Sequence, residues 1–449
     1  MSHRCPSHSG LTNVPLEGLE PPTLSLGRNC SSIELQRLTR KSLPAPFRAS
    51  VGAMKIYLVT MGSRGDHEPF RALALEAAQR GHDVHFAHTT DLAADPQAPY
   101  TEWELPGSIS AFIANQGVSV IKALREYKEV SLPLLQGIWD ASSKQIRDLR
   151  PDVVVYHPKI QSAPVIAHEV GAHAVIAEIV PMLTPTREFA AAGIPLSLPG
   201  WLNRASYSLV DAGIAAFGNQ AKNLAKDLGV SSWAPDQVLC PVSLSLVPQP
   251  ADWPDNALIT GQWWCYSSES LDDELADFVR SGNVLCAGFG SMKHGDADSR
   301  ARVIVAAARE LGMKALLVTG WGGMSVPEDL AASNDLLVRE SVAHEALLPH
   351  VSLAIHHGGS GTVHAFLRAG VPSVIMPFIA DQPWWAWRLH AAGLGPKALS
   401  PNTRSTAAVV TALQQAHLCR QAVSAASRAM AGEHGVATAM EAIEASYAA

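Results

Sequence analysis

The chain has 449 residues, well beyond the length at which one hydrophobic core keeps growing, so two domains are expected. Hydrophobic residues make up 47% of the sequence and charged residues 17%, a balance that is typical of a packed globular protein and excludes a disordered chain. The net charge is −7 and Lys and Arg are not clustered, which argues against nucleic acid as a partner.

Cysteine spacing and hydropathy bear on location. The six cysteines are widely spaced and include no C-x-x-C pair, which indicates reduced structural thiols rather than a disulfide framework or a zinc site. No apolar run reaches the roughly 18 residues that a membrane-spanning helix requires. We therefore expect a cytoplasmic protein, and nothing in the sequence implies an obligate protein partner.

The first 53 residues differ from the rest of the chain. They are rich in Pro, Ser, Arg and Cys, show no sustained period and contain no signal-peptide core. The segment from Gly18 to Ser31 resembles the sequence produced when a bacterial transfer-RNA gene is translated. We expect residues 1–53 to be a spurious extension before a true start at Met54, and a disordered native tail is the alternative.

From residue 54 onward, short apolar strands alternate with amphipathic helices. The run Lys55–Thr60 is typical of a buried parallel strand, and the helix after it repeats apolar residues at i, i+3, i+4 and i+7 from Phe70 until Gly81. Later strands of this half are predicted at Val84–Thr89, Asp152–Tyr156 and Ala174–Val180. Strands that alternate with helices predict a parallel sheet covered on both faces.

The same pattern restarts in the second half of the chain. Its strands are predicted at Asn283–Phe289, Lys314–Thr319, Leu336–Arg339, Leu353–Ile355 and Ser373–Met376. The fold class is therefore α/β, with two doubly wound domains that bind ligands beyond the carboxyl ends of their strands. The predicted division is a first domain at 54–255, a linker at 256–282, a second domain at 283–404 and C-terminal helices at 405–449, for which a return to the first domain is one option.

The strongest chemical signal is a glycine-rich turn between a strand and a helix. The sequence His-His-Gly-Gly-Ser-Gly-Thr occupies positions 356–362. Glycines let the backbone approach a ligand, and the helix start presents free N–H groups and a positive dipole end to an anion. Ser360 and Thr362 add hydroxyl donors, and His356 can supply a charge-assisted donor to a diphosphate. The alternative is a plain tight turn with two core histidines.

Two other motifs fit their usual ligands poorly. Gly288-Phe289-Gly290 has Lys293 where the dinucleotide motif G-x-G-x-x-G requires glycine. Asp296 and Asp298 match the D-x-D pattern of metal-dependent transferases, but the polar stretch around them favours a solvated loop or a helix start. We therefore assign no metal and no cofactor.

The run from His356 to Gly395 resembles the donor-site signature of family-one glycosyltransferases, closest to the bacterial natural-product and sterol glucosyltransferase branch. Segments beginning at Met54, Gly288 and Gly320 match the same branch, so the resemblance spans residues 54–445. It implies the GT-B fold, in which two Rossmann-like domains face each other. It also implies inverting, metal-independent transfer of a hexose from a UDP-sugar or dTDP-sugar, read by the second domain, to an acceptor hydroxyl read by the first.

The resemblance assigns roles in donor binding. The diphosphate is contacted by His356 and by the turn residues Gly358, Gly359, Ser360, Gly361 and Thr362. Asp381 and Gln382 hold hydroxyl groups of the transferred sugar. A carboxylate accepts hydrogen bonds and an amide both accepts and donates them, which suits a vicinal diol. A helix cap is a second interpretation of Asp381, compatible with the first.

Three further positions come from the matched segments. Ser291 lies near the phosphates, Trp321 belongs to a matched glycine-rich turn, and Val342 lies where backbone groups read the base. Ala343 stands where the branch usually has proline, which leaves open whether the base is uracil or thymine.

The reaction requires a base for the acceptor hydroxyl, and the resemblance places a catalytic aspartate at Asp66, at the end of the first strand. A carboxylate can take a proton in a concerted transfer, with a gain of about 10²–10⁴-fold. His67 is the alternative base, since the unperturbed pKa of histidine is near ~6.5. The competing interpretation makes Asp66 the cap of a helix that begins near Glu68.

The acceptor is the least determined partner. The apolar, uncharged segment 189–203 and four aromatic residues suggest a hydrophobic acceptor such as a sterol, terpenoid, polyketide or lipid. These aromatic residues are Trp103, Phe112, Trp139 and Trp201. Peripheral contact with a membrane, or simple core packing, are the alternatives for the same residues. A catalytically silent relative and a nucleotide-sugar epimerase of the same fold are the competing functions.

Overall fold

The computed structural model describes residues 52–108, 129, 131–196, 198–216, 220–266, 269–280, 282–290, 295–320, 324–330 and 334–448, with only the backbone of 214–216. All but the last two residues of the predicted N-terminal extension lie outside these ranges. Within them, no helix combines the length and the apolar character needed to cross a membrane.

The first half of the chain forms a seven-stranded parallel sheet. Its strands are β1 (Lys55–Val59), β2 (Asp83–Thr89), β3 (Thr101–Leu105), β4 (Val153–Tyr156), β5 (His173–Ala177), β6 (Gln237–Cys240) and β7 (Ala257–Ile259). They lie in the order β3-β2-β1-β4-β5-β6-β7. The four predicted strands are confirmed to within three residues at each end. The other three strands are short, and β3 (TEWEL) is largely polar, so the sequence pattern did not reveal them.

Helices cover both faces of this sheet. They are α1 (Arg64–Gln79), α2 (Leu132–Leu149), α3 (Ala163–Val170), α4 (Gly200–Ala216) and α5 (Gln220–Leu228). Along β1, Ile56 and Leu58 enter one hydrophobic core while Tyr57 and Val59 enter another. Alternate residues of a strand point to opposite faces, so an uninterrupted apolar run is what a sheet buried on both sides requires.

The second half repeats the design with five parallel strands. They are β8 (Val284–Gly288), β9 (Lys314–Val318), β10 (Leu336–Arg339), β11 (Val351–His356) and β12 (Ser373–Ile375), in the order β10-β9-β8-β11-β12. The helices of this domain are α6 (Asp273–Arg280), α7 (Ala297–Glu310), α8 (His344–Leu347), α9 (Ser360–Arg368), α10 (Gln382–Ala391), α11 (Thr406–Leu418) and α12 (Arg420–Met430). The predicted α/β class with two parallel sheets is thereby confirmed.

The predicted linker at 256–282 is wrong at both ends. Strand β7 pairs with β6 and is the edge strand of the first sheet. Helix α6 buries Leu275 and Val279 against Val284 and Cys286 of the second sheet. The connection between the two sheets therefore lies between residues 260 and 272. The sequence pattern did not reveal this, because the three residues of β7 and the single apolar stripe of α6 are too short to stand out.

The C-terminal helix returns to the first domain. Helix α13 (Gly435–Tyr447) places Ala439, Met440 and Ile443 in the same core as β1. Glu444 accepts hydrogen bonds from Arg80 Nη1 and His82 Nε2, both at 3.1 Å. The last helix thus ties the first domain to the end of the chain.

A hydrophobic core also joins the two domains directly. Phe189, in the loop after β5, packs edge-to-face on Trp384 of α10 with ring centroids 5.7 Å apart. The Trp384 indole N–H donates to the Ala190 carbonyl at 3.0 Å. His364 of α9 accepts a hydrogen bond from the Ser243 backbone N–H of the first domain at 3.1 Å. Part of the segment 189–203 is therefore interdomain core.

We expect Trp384→Ala to destabilise the protein by about 3–5 kcal/mol, since it removes a completely buried indole from the interdomain core. Trp201→Ala is the matched control, because Trp201 is 70% exposed and its loss should change the free energy of unfolding by no more than about 0.5 kcal/mol. Urea denaturation measures both values. Equal effects of the two substitutions would contradict this assignment of the interface.

Candidate active site

The strand orders of the two sheets identify where ligands bind. In each sheet, successive strands are added first toward one edge and then toward the other. The strand order changes direction between β1 and β4 in the first sheet and between β8 and β11 in the second. The crevice beyond the carboxyl ends of such strand pairs is the usual ligand site of doubly wound folds. Asp66 follows β1 and His356 ends β11, so both predicted key residues lie at these switch points.

The Asp66 carboxylate is fixed by donors from two parts of the first domain. Helix α1 begins at Arg64, so Asp66 lies in its first turn. Its Oδ2 accepts from the Ser63 backbone N–H at 2.7 Å and from Ser63 Oγ at 2.9 Å. Its Oδ1 accepts from Lys159 Nζ at 2.9 Å and contacts His157 Nε2 at 3.1 Å. One oxygen thus stabilises the helix start while the other faces residues that follow β4.

The tautomer of His157 follows from its contacts. The Lys159 backbone N–H donates to His157 Nδ1 at 3.1 Å, so the ring proton is on Nε2 and points to Asp66. Burial, with the charge of Lys159, lowers the pKa of His157, which stays neutral at pH 7. Burial by itself would raise the pKa of the Asp66 carboxyl, but Lys159 and His157 outweigh it and hold that pKa well below its usual range.

His67, the alternative base, is not at the cleft surface. Its side chain is completely buried, and Nε2 lies 3.1 Å from the Gly62 carbonyl oxygen. Burial lowers the pKa of His67 to about 4. Successive residues of a helix point about 100° apart, so when Asp66 faces the cleft, His67 turns into the core. This geometry removes His67 as a base, and helix α1 also begins two residues before the cap position that the sequence suggested for Asp66.

On the facing domain, His356 is buried and holds one unused donor. The Gly358 backbone N–H donates to His356 Nδ1 at 3.1 Å, which leaves the ring proton on Nε2. That nitrogen is buried and has no hydrogen-bond partner among the described residues. Burial, together with His357 and His344, lowers the pKa of His356 to about 3. His356 is therefore neutral in this state, and the charge-assisted donor expected from the sequence is instead a neutral N–H.

The glycine turn that follows His356 is closely packed at Gly358. Gly358 has φ +89°, a conformation that L side chains rarely adopt. A Cβ there would lie 2.6 Å from Ile375 Cγ2 and 3.3 Å from the Gln382 carbonyl oxygen. Helix α9 begins directly after Gly359, and no side chain caps it. The backbone N–H groups of its first turn, which contains Ser360, Gly361 and Thr362, are therefore left for a ligand.

Asp381 and Gln382 adjoin this turn at the start of α10. The Trp385 indole N–H donates to Asp381 Oδ2 at 2.8 Å, and Gln382 Oε1 accepts from the Phe378 backbone N–H at 2.8 Å. Burial raises the pKa of the Asp381 carboxyl, and the negative charge of Asp66 raises it further. Ala380 has φ +56°, so the turn that presents Asp381 is strained. Gln382 has only its amide N–H₂ left for a ligand.

The two sides of the cleft lie within electrostatic range of each other. Asp381 of the second domain interacts with both Asp66 and Lys159 of the first. Arg64, the first residue of α1, lies within electrostatic range of His344 in the second domain, and His344 in turn acts on His356. The structure thus brings Asp66, the predicted base, and Asp381, the predicted sugar ligand, to the same crevice as the predicted phosphate turn.

Several predicted residues have other positions. Ser291, Trp321 and Phe112 lie outside the described residues. Val342 lies half-buried beside His344. Asp296 accepts a hydrogen bond from the Ser299 backbone N–H at 3.0 Å as the cap of α7, which confirms the helix start.

The aromatic residues expected at the acceptor are dispersed. Trp103 donates to His85 on the neighbouring strand, Trp139 is buried and donates to the Lys159 carbonyl at 2.9 Å, and Trp201 is 70% exposed. They do not form one pocket among the described residues. In that same part of the chain, no three His, Cys, Asp or Glu side chains come together as metal ligands.

Lys159 and His157 were missed by the sequence analysis. They follow β4 in the sequence His157-Pro158-Lys159, and β4 pairs with β1. Since carboxyl ends of adjacent parallel strands meet at one edge, polar residues after the first crossover strand were a signal that could have identified them.

Comparison with known proteins extends this description. Residues 327–441 match the family model described as erythromycin biosynthesis protein CIII-like, C-terminal domain. A sterol 3-beta-glucosyltransferase of Arabidopsis thaliana is 28% identical over 386 residues, covering 79% of this chain and 62% of that protein. One of Debaryomyces hansenii is 28% identical over 432 residues, covering 86% of this chain and 26% of that protein. The chain therefore spans only part of the length of these relatives.

Solved structures share the architecture. The glycotransferase of kitacinnamycin superposes with a TM-score of 0.69 at 19% identity, over 88% of this chain and 99% of that one. CalG4, the calicheamicin glycosyltransferase, gives 0.67 at 18% identity, over 88% and 98%. Together with the two facing sheets, these neighbours establish the GT-B fold.

We expect Gly358→Ala to destabilise the second domain by about 1–3 kcal/mol, because the new methyl group meets Ile375 in a left-handed backbone. Gly361→Ala is the matched control. Its Cβ meets nothing within 4 Å and its position is helical, so stability should stay equal or rise by up to about 1 kcal/mol. Thermal unfolding of both variants tests the difference, and a tolerated alanine at 358 would refute it.

Proposed function

We propose that this chain, a family-one, UDP-glycosyltransferase-like protein with the GT-B fold, transfers a sugar from a nucleotide-diphosphate donor to a hydroxyl group of a hydrophobic acceptor. The observation that carries the proposal is the placement of Asp66 opposite the His356 turn. A half-buried, ionised carboxylate follows β1 of one domain, and an unused buried N–H donor ends β11 of the other. Transfer between two bound substrates requires such a base and such a phosphate site in one crevice.

The residues suggest a single displacement. Asp66 takes the proton of the acceptor hydroxyl while the acceptor oxygen forms its bond to the anomeric carbon of the sugar. The bond from that carbon to the diphosphate oxygen breaks, and its electron pair leaves with the diphosphate. Attack opposite the leaving group inverts the anomeric centre. His356 Nε2–H and the free N–H groups at the start of α9 stabilise the developing negative charge without requiring a metal ion.

The donor side fits a hexose carried by UDP or dTDP. Asp381 offers carboxylate oxygens, and Gln382 an amide N–H₂, to vicinal hydroxyls. The proposed donor site also includes Val342. It further includes Ser291 and Trp321, which lie outside the described residues. The relatives are sterol glucosyltransferases and the solved neighbours are natural-product glycosyltransferases by name, which favours an apolar acceptor.

The first domain also carries exposed apolar side chains beside the interdomain loop. Leu196, Trp201 and Leu209 are 55%, 70% and 68% exposed, which suits contact with such an acceptor or with a membrane that holds it. The described cysteines, Cys240, Cys265, Cys286 and Cys419, are all free, in keeping with the cytoplasmic location we propose.

One assay separates this proposal from its competitors. The protein is incubated with UDP-glucose and with dTDP-glucose, alone and with a panel of sterols and other apolar alcohols. Release of UDP or dTDP that depends on acceptor supports transfer. Isomerised sugar without acceptor would identify an epimerase, and donor binding without any reaction would identify a silent relative.

Asp66→Asn is expected to reduce turnover by about 10²–10⁴-fold, because an amide cannot take the proton. Asn can still accept the Ser63 N–H bond, so the start of α1 is preserved. Acceptor-dependent UDP release and the donor dissociation constant are measured together. Donor affinity should barely change, and near-normal turnover would remove Asp66 from the mechanism.

His356→Ala should weaken donor affinity by about 10- to 150-fold, the equivalent of one hydrogen bond to a charged group, and should also lower the rate. Calorimetric titration with UDP measures the affinity, and the melting temperature is recorded because the ring stacks on Phe366. A folded variant with unchanged affinity for UDP would refute the phosphate role.

A further inference from the structure

Lys159 contacts the same carboxylate oxygen as His157. Its Nζ lies 2.9 Å from Asp66 Oδ1, and His157 Nε2 lies 3.1 Å from that atom. The two differ in exposure, since 48% of the Lys159 side chain is accessible and only 6% of His157. The Lys159 ammonium group is therefore open to solvent and ligands in a way that the His157 ring is not.

The backbone of Lys159 is nevertheless held firmly. Its N–H donates to His157 Nδ1 at 3.1 Å, and its carbonyl accepts from the buried Trp139 indole at 2.9 Å. Trp139 is itself held in place by packing in the core of the first domain, where it lies beside β4 and α3. Because the backbone of Lys159 is held at both its N–H and its carbonyl, its half-exposed side chain is directed toward Asp66 in the crevice.

We propose that Lys159 is a positioning residue of the transfer reaction, which orients the Asp66 carboxylate at rest and is displaced from Oδ1 by the acceptor hydroxyl. This inference rests on the proposed function. Both Asp66 oxygens are occupied, Oδ2 by Ser63 and Oδ1 by His157 and Lys159. Of these donors, Lys159 has the long, half-exposed side chain, so it is the one that an incoming O–H group can replace.

The surrounding charges give Lys159 a second effect. The titratable groups that face Asp66 are His157 and Lys159 after β4, His67 on its own helix, and Asp381 from α10. Burial lowers the pKa of both histidines, so they are neutral. Asp381 is a carboxyl group and cannot supply a positive charge. Lys159 is thus the cation in direct contact with the Asp66 carboxylate. Without it, burial and Asp381 both favour protonation of Asp66.

The test compares Lys159→Met with wild type in the full-length protein, at saturating donor. The acidic limb of the pH dependence of kcat/KM for the acceptor should move upward by about 1–3 pH units in Lys159→Met, because protonated Asp66 cannot act as a base. Lys159→Arg should restore the limb toward that of wild type. Return of each sample to pH 7 with full activity shows that titration, not unfolding, causes the loss.

Lys144→Met is the matched control. Lys144 is an exposed lysine of α2 paired with Asp148 in the same domain, so the variant removes the same charge without touching Asp66. Its acidic limb should coincide with that of wild type. A limb that is unmoved in Lys159→Met, or one that moves equally in Lys144→Met, overturns the inference.

Two further outcomes are distinguishable. A large loss of UDP affinity in Lys159→Met with an unmoved limb would make Lys159 a donor ligand and overturn its role at Asp66. If wild type shows no acceptor-dependent UDP release, the proposed function itself fails. If wild type is active and only the limb comparison fails, the proposed function stands and the role of Lys159 falls.

Discussion

The interdomain core around Trp384 is the contact on which the crevice depends. Helix α10 begins at the Asp381–Gln382 turn and continues into the packing of Trp384 on Phe189. Helix α9 begins at the phosphate turn, and its His364 accepts a hydrogen bond from Ser243 of the first domain. Both helices therefore start at the site and contact the first domain within their first two turns. A shift of one domain against the other would move the sugar and phosphate contacts relative to Asp66.

Burial divides the titratable groups of the crevice into distinct roles. His157 and His356 are kept neutral, and each has one nitrogen occupied by a backbone N–H, so each presents a single N–H of known direction. Asp66 is held ionised by Lys159, whereas the pKa of Asp381 is raised by burial. The two carboxyl groups of the crevice therefore have pKa values shifted in opposite directions.

The two readings of Asp66 are compatible because a carboxylate has two oxygens. Oδ2 stabilises the first turn of α1 from the third helical position of a capping box, whereas residue type alone suggested the cap position itself. Oδ1 points to the segment after β4, where the proposed chemistry occurs. Gly62, with φ +134°, provides the room for this arrangement, since a side chain there would occupy the space of the Asp66 carboxyl group.

The sequence alone determined the two parallel sheets and the strand-to-helix turn at 356–362, because apolar periodicity and glycine spacing are local properties of the chain. It also located Asp66 and Asp381, through resemblance and through their place after a strand or before a helix. Tertiary structure decided the rest. Lys159 reaches Asp66 across 93 positions, His67 turns into the core, His356 loses its charge by burial, and β7 joins the first sheet. Side-chain direction, desolvation and long-range pairing depend on neighbours in space, which no local pattern specifies.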